Sequence, residues 1–166
     1  MSGTVGDNTA RASGVIASAG GGGKILQVVN SYDTTYRSMT TSWSDLSSDL
    51  SCTITPTAAS SKFLSIISLG VYNAGAGFAI ALYSDIGGAG ATNILPDTTW
   101  GFGWQMFWSS INQSWGHHWV DSPSTTSEIV YKVYYRGENT NVKLNRGYNS
   151  GSYPAMSTFT VMEIGA

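Results

Sequence analysis

The two histidines of this 166-residue chain, His117 and His118, are adjacent in the sequence. Imidazole nitrogens ligate zinc and act as general bases, but a metal site needs side chains that converge on one point. Neighbouring side chains of a strand point to opposite faces, so this pair cannot chelate one ion. We expect no metal site and interpret both histidines as partly exposed strand residues beside tryptophans.

The ten carboxylates are dispersed along the chain. A glycosidase needs two carboxyl groups about 5 to 10 Å apart in a cleft, and no spacing here indicates such a pair. Asp45, Asp49 and Asp121 fall beside turns, where an aspartate caps backbone N–H groups. Glu128 starts a predicted strand, and Glu163 lies near the end of the chain. We expect no catalytic residue among these acids.

The glycine run before Lys24 fails as a phosphate-binding loop. The P-loop pattern needs glycine where this chain has Ser18, and serine or threonine where it has Ile25. No G-x-S-x-G elbow occurs, and the serines have no recognisable triad partners. The single cysteine, Cys52, excludes an intrachain disulfide and lies in an alternating run typical of a small buried residue. The sequence predicts neither an enzyme nor a cofactor.

Charge and hydropathy exclude two classes of partner. The net charge is −2, and the eight basic residues are scattered, so no basic patch for nucleic acid is expected. There is no signal-peptide pattern and no apolar run near 18 residues, which predicts a soluble chain that is not exported by the Sec route.

The N-terminal segment, residues 1–23, differs in composition from the rest. Its sizeable aliphatic residues are Val5, Val15 and Ile16, and it ends in four glycines, so it cannot build a core of its own. It is either a disordered tail or an arm that orders against a partner, with the glycines as a hinge. We predict an extended Gly-rich arm over residues 1–23 and one β-domain over 24–166.

From Lys24 onward the pattern has the period of two that is typical of strands. KILQVVNSY and YRSMTTSW are predicted strands around Asp33, and KFLSIISLGVY is an apolar run that suits a strand covered on both faces.

Near the C-terminus, SEIVYKVYYRGE and STFTVMEIGA alternate between an apolar face and a more polar one. Short strands without intervening helices predict an all-β fold, an antiparallel β-sandwich or a jelly roll. The expected sandwich core contains Leu26, Ile54, Leu64, Ile66, Leu69, Ile80, Leu82, Val133 and Val161.

The stretch WGFGWQMFW, residues 100–108, holds three of the six tryptophans. The two glycines of this stretch disfavour a helix. In a strand, every second side chain points to the same face, and here that face carries five large apolar side chains. These are Trp100, Phe102, Trp104, Met106 and Trp108. Such a face offers on the order of 1,000 Å² of apolar surface, more than monomers expose, so it must be shielded.

Trp115 and Trp119 follow closely, and a hairpin with SSINQS as its loop would place them beside the first cluster. Three roles are open for these tryptophans: plain core, a subunit interface around a symmetry axis, or a platform on which glycan rings stack. For the glycan role we consider Trp104, Trp115 and Trp119.

Four segments carry a resemblance to a known class of proteins. They are GKILQVVNSY, ITPTAASSKFLSIISLGV, DSPSTTSEIVYKVYYRGENTNVKLNRG and STFTVMEIGA. Together they resemble the small β-structured modules of tail-fibre and head-decoration proteins on the virions of tailed bacteriophages, particularly phages of aquatic bacteria. The match spans most of residues 3–166, and residues 93–119 depart from it.

The resemblance implies a non-enzymatic, usually trimeric structural protein on a virion, attached by its N-terminal arm. We therefore expect a capsid decoration or cement protein, or a short tail-fibre head, with the major capsid protein or a tail protein as its partner. The arm residues expected to attach it are Val5, Asp7, Arg11, Val15 and Ile16. The alternative is a module that binds host surface glycan through exposed tryptophans.

Overall fold

The computed structural model describes residues 23–46, 50–106, 110–147 and 155–165, and these residues form an all-β domain. Its strands are β1 (Ile25–Asp33), β2 (Arg37–Ser38), β3 (Ser44–Asp45), β4 (Ser51–Ile54), β5 (Lys62–Ala74), β6 (Gly77–Ile86), β7 (Thr92–Asn93), β8 (Trp104–Met106), β9 (Ser110–Asp121), β10 (Ile129–Gly137), β11 (Lys143–Leu144) and β12 (Ser157–Ile164). The predicted arm and its five candidate residues lie outside the described residues.

The strands form two antiparallel sheets. Sheet 1 contains β1, β12, β5 and β9, with the short β11 and β2 beside the far half of β5. Sheet 2 contains β10 and β6 at its centre, with β3 and β4 on one side and β7 and β8 on the other. The first strand pairs with the last, since Val29 lies opposite Val161. The predicted antiparallel β-sandwich is confirmed.

The two sheets enclose one core. Burial alternates residue by residue along β10 and β12, as the sequence predicted. Phe63 of sheet 1 contacts Tyr131 of sheet 2, with ring centroids 5.9 Å apart, and Phe78 contacts Trp115 edge to face at 6.4 Å. Cys52 is buried, as expected. Because these contacts join both sheets, the core holds the layers together.

The predicted strand YRSMTTSW is largely wrong, because only β2 (Arg37–Ser38) forms within it. The backbone N–H of the buried Met39 bonds to Val142 O at 2.9 Å, and Thr40 O accepts the N–H of Gly137 at 2.7 Å. The chain leaves sheet 1 after β2 and reaches sheet 2 at β3. A strand that changes sheets cannot continue one pleat, so the alternation stops there.

Three predicted core residues, Leu26, Leu64 and Ile66, do not lie in the core. Leu26 and Ile66 are each 41% exposed, and Leu64 is half-buried on the same side of β5 as Ile66. Within the described chain, β5 is therefore covered on one face only, and cover of its other face by another molecule stays a prediction. In the described part of the chain no third layer packs on the outer side of sheet 1, so only alternate side chains of β5 reach the core.

Glu163 is a fully buried carboxylate on the inner side of β12. It accepts hydrogen bonds from Gln27 Nε2 at 2.5 Å, and from the backbone N–H and the hydroxyl of Thr57 at 2.7 Å each. Burial raises the pKa of Glu163, but the groups of Ser61, Gln27 and Thr57 favour the charged form more strongly and hold the pKa at about 2. This carboxylate joins β1, β12 and the segment before β5.

We predict that Glu163→Gln destabilises the protein by about 1 to 3 kcal/mol at neutral pH, because charge-assisted hydrogen bonds are lost. The wild-type carboxylate contributes stability above its ordinary pKa of 4.5 and loses it as the pH falls towards 2. The variant should therefore lose less stability between pH 5 and 2.5 in urea unfolding. The exposed Glu128→Gln is the control, and equal pH slopes for Glu163→Gln and wild type would contradict this role.

Candidate functional site

The tryptophan-rich segment is a turn followed by a short strand. Only β8 (Trp104–Met106) is extended, and residues 98–102 turn. The N–H of Gly101 bonds to Asp97 O at 3.0 Å, and the N–H of Gly103 bonds to Trp100 O at 2.9 Å. Both glycines have positive φ, at 61° and 109°. The predicted strand is thus wrong for residues 100–103, and Trp108 lies outside the described residues.

Gly101 is required here by close packing as well as by its backbone angle. A Cβ at this position would lie 2.2 Å from Ile80 O and 2.8 Å from the Cβ of Ala81. The turn therefore lies directly on β6, where the N–H of Phe102 bonds to Ile80 O at 2.8 Å. Phe102 contacts Trp115 at 5.9 Å and stacks on His117 at 4.6 Å between ring centroids. Because the turn packs closely on β6 of sheet 2, the Phe102 ring reaches Trp115 and His117 of sheet 1.

The predicted hairpin between the two tryptophan clusters is also wrong. Residues of the supposed loop SSINQS belong to β9, which pairs with β5 along its whole length. β8 instead pairs with β6 in sheet 2, where Trp104 lies opposite Ala79. The two clusters belong to different sheets, and it is Phe102 that joins them.

The described tryptophans of the predicted site fall into two groups. Trp115 is 8% exposed in the core, and Trp119 packs against the core half-buried. Trp100 is 39% exposed and meets the half-buried Trp104 edge to face at 5.0 Å, with the Arg136 guanidinium 5.1 Å from the Trp100 ring. Of the three candidates for glycan stacking, Trp115 and Trp119 pack against the core, whereas Trp104 lies half-buried beside the exposed Trp100.

The histidines point to opposite sides of sheet 1, as predicted. His117 faces the core, where burial lowers its pKa and the neighbouring His118 lowers it further. His118 is exposed on the outer side, opposite Ile66 of β5. Among the residues that the structure describes, no cluster of three or more histidine, cysteine or acidic side chains could hold a metal ion.

A row of four apolar side chains crosses the outer side of sheet 1. Val28, Met162, Leu64 and Val120 lie side by side on β1, β12, β5 and β9, because each is in register with the next. Val28 is 54% exposed and Val120 49%. Ile66 occupies the next rung of β5 on the same side, at 41% exposed. We name these five residues the outer apolar face.

Few charges accompany the outer apolar face. We consider the described outward side chains in the row of Leu64 and in the two adjacent rows across the sheet. Among them the one charged residue is Lys62, and the one histidine is His118. Depletion of charge is typical of the centre of a protein interface. A contiguous row of exposed apolar side chains is a candidate surface for contact with another molecule.

The apolar run of β5 predicts Leu64 and Ile66 in the core, and no sequence pattern noted above singles out Val28, Val120 or Met162. A signal was available in STFTVMEI, where the side of the strand opposite Phe159 and Val161 carries Met162 and Ile164. A strand with large apolar residues on both sides predicts a second covered face. That signal does not say which molecule covers it.

β9 forms an edge of sheet 1. Its 12 residues pair with β5, and in the described part of the chain no strand pairs with its other side. Natural edge strands are usually short or protected by lysine, proline or a bulge, and β9 contains neither lysine nor proline. An unprotected edge of this length can add a strand from another chain.

Comparison with protein-family models and with curated proteins finds no match for the chain. The described residues contain no helix that is long and apolar enough to cross a membrane.

We predict that Gly101→Ala destabilises the protein by about 3 kcal/mol, through backbone strain and collision with Ile80 O. Gly88→Ala is the matched control, because its φ is also positive at 78° but its added Cβ would meet nothing within 4 Å. It should lose about 1 kcal/mol through strain alone. Urea unfolding measures both values, and equal losses would show that the turn does not press on β6.

Proposed function

We propose that the protein is a non-enzymatic structural protein of a bacteriophage virion, displayed on the capsid or tail surface as a homo-oligomer. A capsid decoration or cement protein and a short tail-fibre head are the two forms of this role. The observation that carries self-association is the outer apolar face of sheet 1. The assignment to a virion rests on the sequence resemblance, which also favours a trimer.

The size of the outer apolar face bounds how strongly two copies associate through it. With the row of side chains on either side of it included, the face spans four strands about 4.8 Å apart and three rows about 6.6 Å apart, a planar footprint of roughly 400 Å² per copy. Side chains protrude from this plane, so two copies bury on the order of 1,000 Å² in total, the lower limit of specific interfaces. If about half is apolar, the gross gain is about 12 kcal/mol.

Association costs roughly 4 to 15 kcal/mol in lost freedom of motion, so this face alone supports weak association. Further contacts are needed for a stable oligomer, and the unpaired edge of β9 adjoins the same face through Val120. Backbone pairing along this edge would satisfy exposed N–H and C=O groups of both copies. Face and edge together support a homo-oligomer better than either does alone.

Residues 1–23 are proposed to attach the oligomer to the particle. The described chain begins beside β1, which forms the other edge of sheet 1. A segment of this length spans at most about 80 Å when extended, enough to reach a neighbouring subunit. Ordering on binding would cost conformational entropy, offset by backbone hydrogen bonds and by Arg11 against an acidic site on the major capsid or tail protein.

We predict that Val120→Lys weakens self-association at least tenfold, because a lysine in the centre of an apolar contact loses hydration without gaining a partner. Sedimentation velocity over a range of protein concentrations measures the effect. The wild-type chain should change from monomer to oligomer as concentration rises, whereas the variant should stay monomeric over the same range.

The matched control is Thr53→Lys, which adds the same charge to an exposed strand position on sheet 2. It should associate as the wild type does. A wild-type chain that remains monomeric at every concentration would refute the homo-oligomer. Equal association of Val120→Lys and wild type would place the interface elsewhere.

We predict that deletion of residues 2–19 leaves a folded oligomer that no longer joins virus particles. The deletion removes the proposed attachment residues Val5, Asp7, Arg11, Val15 and Ile16 and spares every described strand. Sedimentation shows whether the oligomer persists, and co-purification with particles measures attachment. Continued incorporation of the shortened chain would contradict the role of the arm. Loss of the oligomer would show that residues 2–19 take part in self-association.

A further inference from the structure

A cavity of about 320 Å³ opens near the far end of sheet 1. Gly70 lines it, six residues and about 20 Å along β5 from Leu64 of the outer apolar face. Its volume is near the lower end of the range for small-molecule sites, about 300 to 1,000 Å³. The cavity therefore has room for a small ligand, and it lies outside the outer apolar face.

Small residues on adjacent strands create the recess. On the outer side of sheet 1, Gly70 lies opposite Ser114, and both residues line the cavity. A Cβ at Gly70 would meet the Cβ of Ala155 at 2.7 Å, so the chain before β12 packs closely against this glycine. Larger side chains at Gly70 and Ser114 would fill the space, and the small size of these two residues leaves it open.

Arg146 forms a wall of the recess with a fixed positive charge. Its guanidinium carbon lies 3.7 Å from the centroid of the Tyr72 ring, and this stacking restricts the side chain before any ligand binds. Among the described residues, the one arginine that forms a salt bridge is Arg37, which pairs with Asp33. No described carboxylate therefore neutralises the charge of Arg146. No described residue that lines the cavity is acidic. The recess is thus complementary to an anion.

The remaining walls supply hydrogen-bonding groups and an apolar patch. Asn112 lies opposite Tyr72 on the outer side of β9, and Ser114 is the next outward residue. An amide and a hydroxyl can each donate and accept, which suits the hydroxyl groups of a sugar. Met156 lines the cavity and is 58% exposed, which offers a contact for the C–H face of a ring.

We propose that this recess binds an acidic sugar unit, a pyranose ring that carries a carboxylate. The carboxylate pairs with Arg146, because guanidinium and carboxylate match in bidentate geometry. The ring hydroxyls bond to Asn112 and Ser114. A small anion could accept hydrogen bonds from Arg146, Asn112 and Ser114 but would leave the apolar wall of Met156 without a contact. A neutral sugar would leave the guanidinium without a charged partner, so the combined chemistry favours the acidic sugar.

The site lies about 20 Å from the outer apolar face, and it shares with the proposed assembly only the strand β9, whose residues Asn112 and Ser114 line the recess. Val120→Lys removes the outer apolar face about 20 Å away and should leave sugar binding intact. A failure of sugar binding with normal self-association would overturn this inference alone. A failure of self-association with normal sugar binding would overturn the proposed assembly alone.

The test is titration of the full chain with D-glucuronate, followed by backbone amide chemical shifts in NMR spectra. Glucuronate should shift the resonances of residues 112–114 in a saturable way, and glucose and acetate should bind at least tenfold more weakly. N-acetylglutamate represents a peptide carboxylate. If it binds as well as glucuronate, the partner is a peptide and the sugar proposal is wrong.

Arg146→Gln should reduce affinity for glucuronate at least tenfold and leave the weak binding of glucose unchanged. Arg136→Gln, which removes the arginine beside Trp100 on sheet 2, is the matched control and should bind as the wild type does. Ser114→Phe provides a second variant, because a bulky side chain at this exposed position fills the recess and should abolish binding. Unchanged affinity in both Arg146→Gln and Ser114→Phe would overturn the site.

Discussion

A two-layer sandwich can cover only one side of each of its sheets, and the organisation of this protein follows from that constraint. Successive side chains of a strand point to opposite sides, so every strand has an inner and an outer set. The inner sets of β5, β10 and β12 fill the core. The outer set of sheet 1 includes large apolar residues that no described part of the chain covers, which is why self-association is the favoured function.

Short polar contacts fix the places where the chain changes direction or joins distant segments. Glu163 near the C-terminus bonds to Gln27 of the first strand and to Thr57. A second buried cluster links Asp33 at the end of β1 with Arg37 and Asn145, and Asn145 accepts a hydrogen bond from Ser157. Because a buried polar group without a partner is costly, these bonds specify one pairing of the chain ends.

The outer side of sheet 1 combines two environments along the same strands. Near Leu64 and Val120 it is apolar and poor in charge, whereas near Gly70 and Ser114 it is recessed and polar. Arg146 lines the recess there and stacks on the Tyr72 ring. The two regions lie about 20 Å apart along the strands, which leaves room for a different partner at each. The outer side of sheet 1 can therefore support both assembly and ligand binding.

The sequence by itself determined the all-β class, the strands with clear alternation, the inner residues of β10 and β12, and the opposite directions of His117 and His118. Period-two patterning is a local property, since it follows from the pleat of each strand. Only the tertiary structure decided that Ile66 faces outward and that Trp115 lies in the core. It also decided that the chain turns at Gly101 against β6. An apolar side chain shows that a face must be covered, but which face meets the other sheet depends on contacts between residues far apart in the chain.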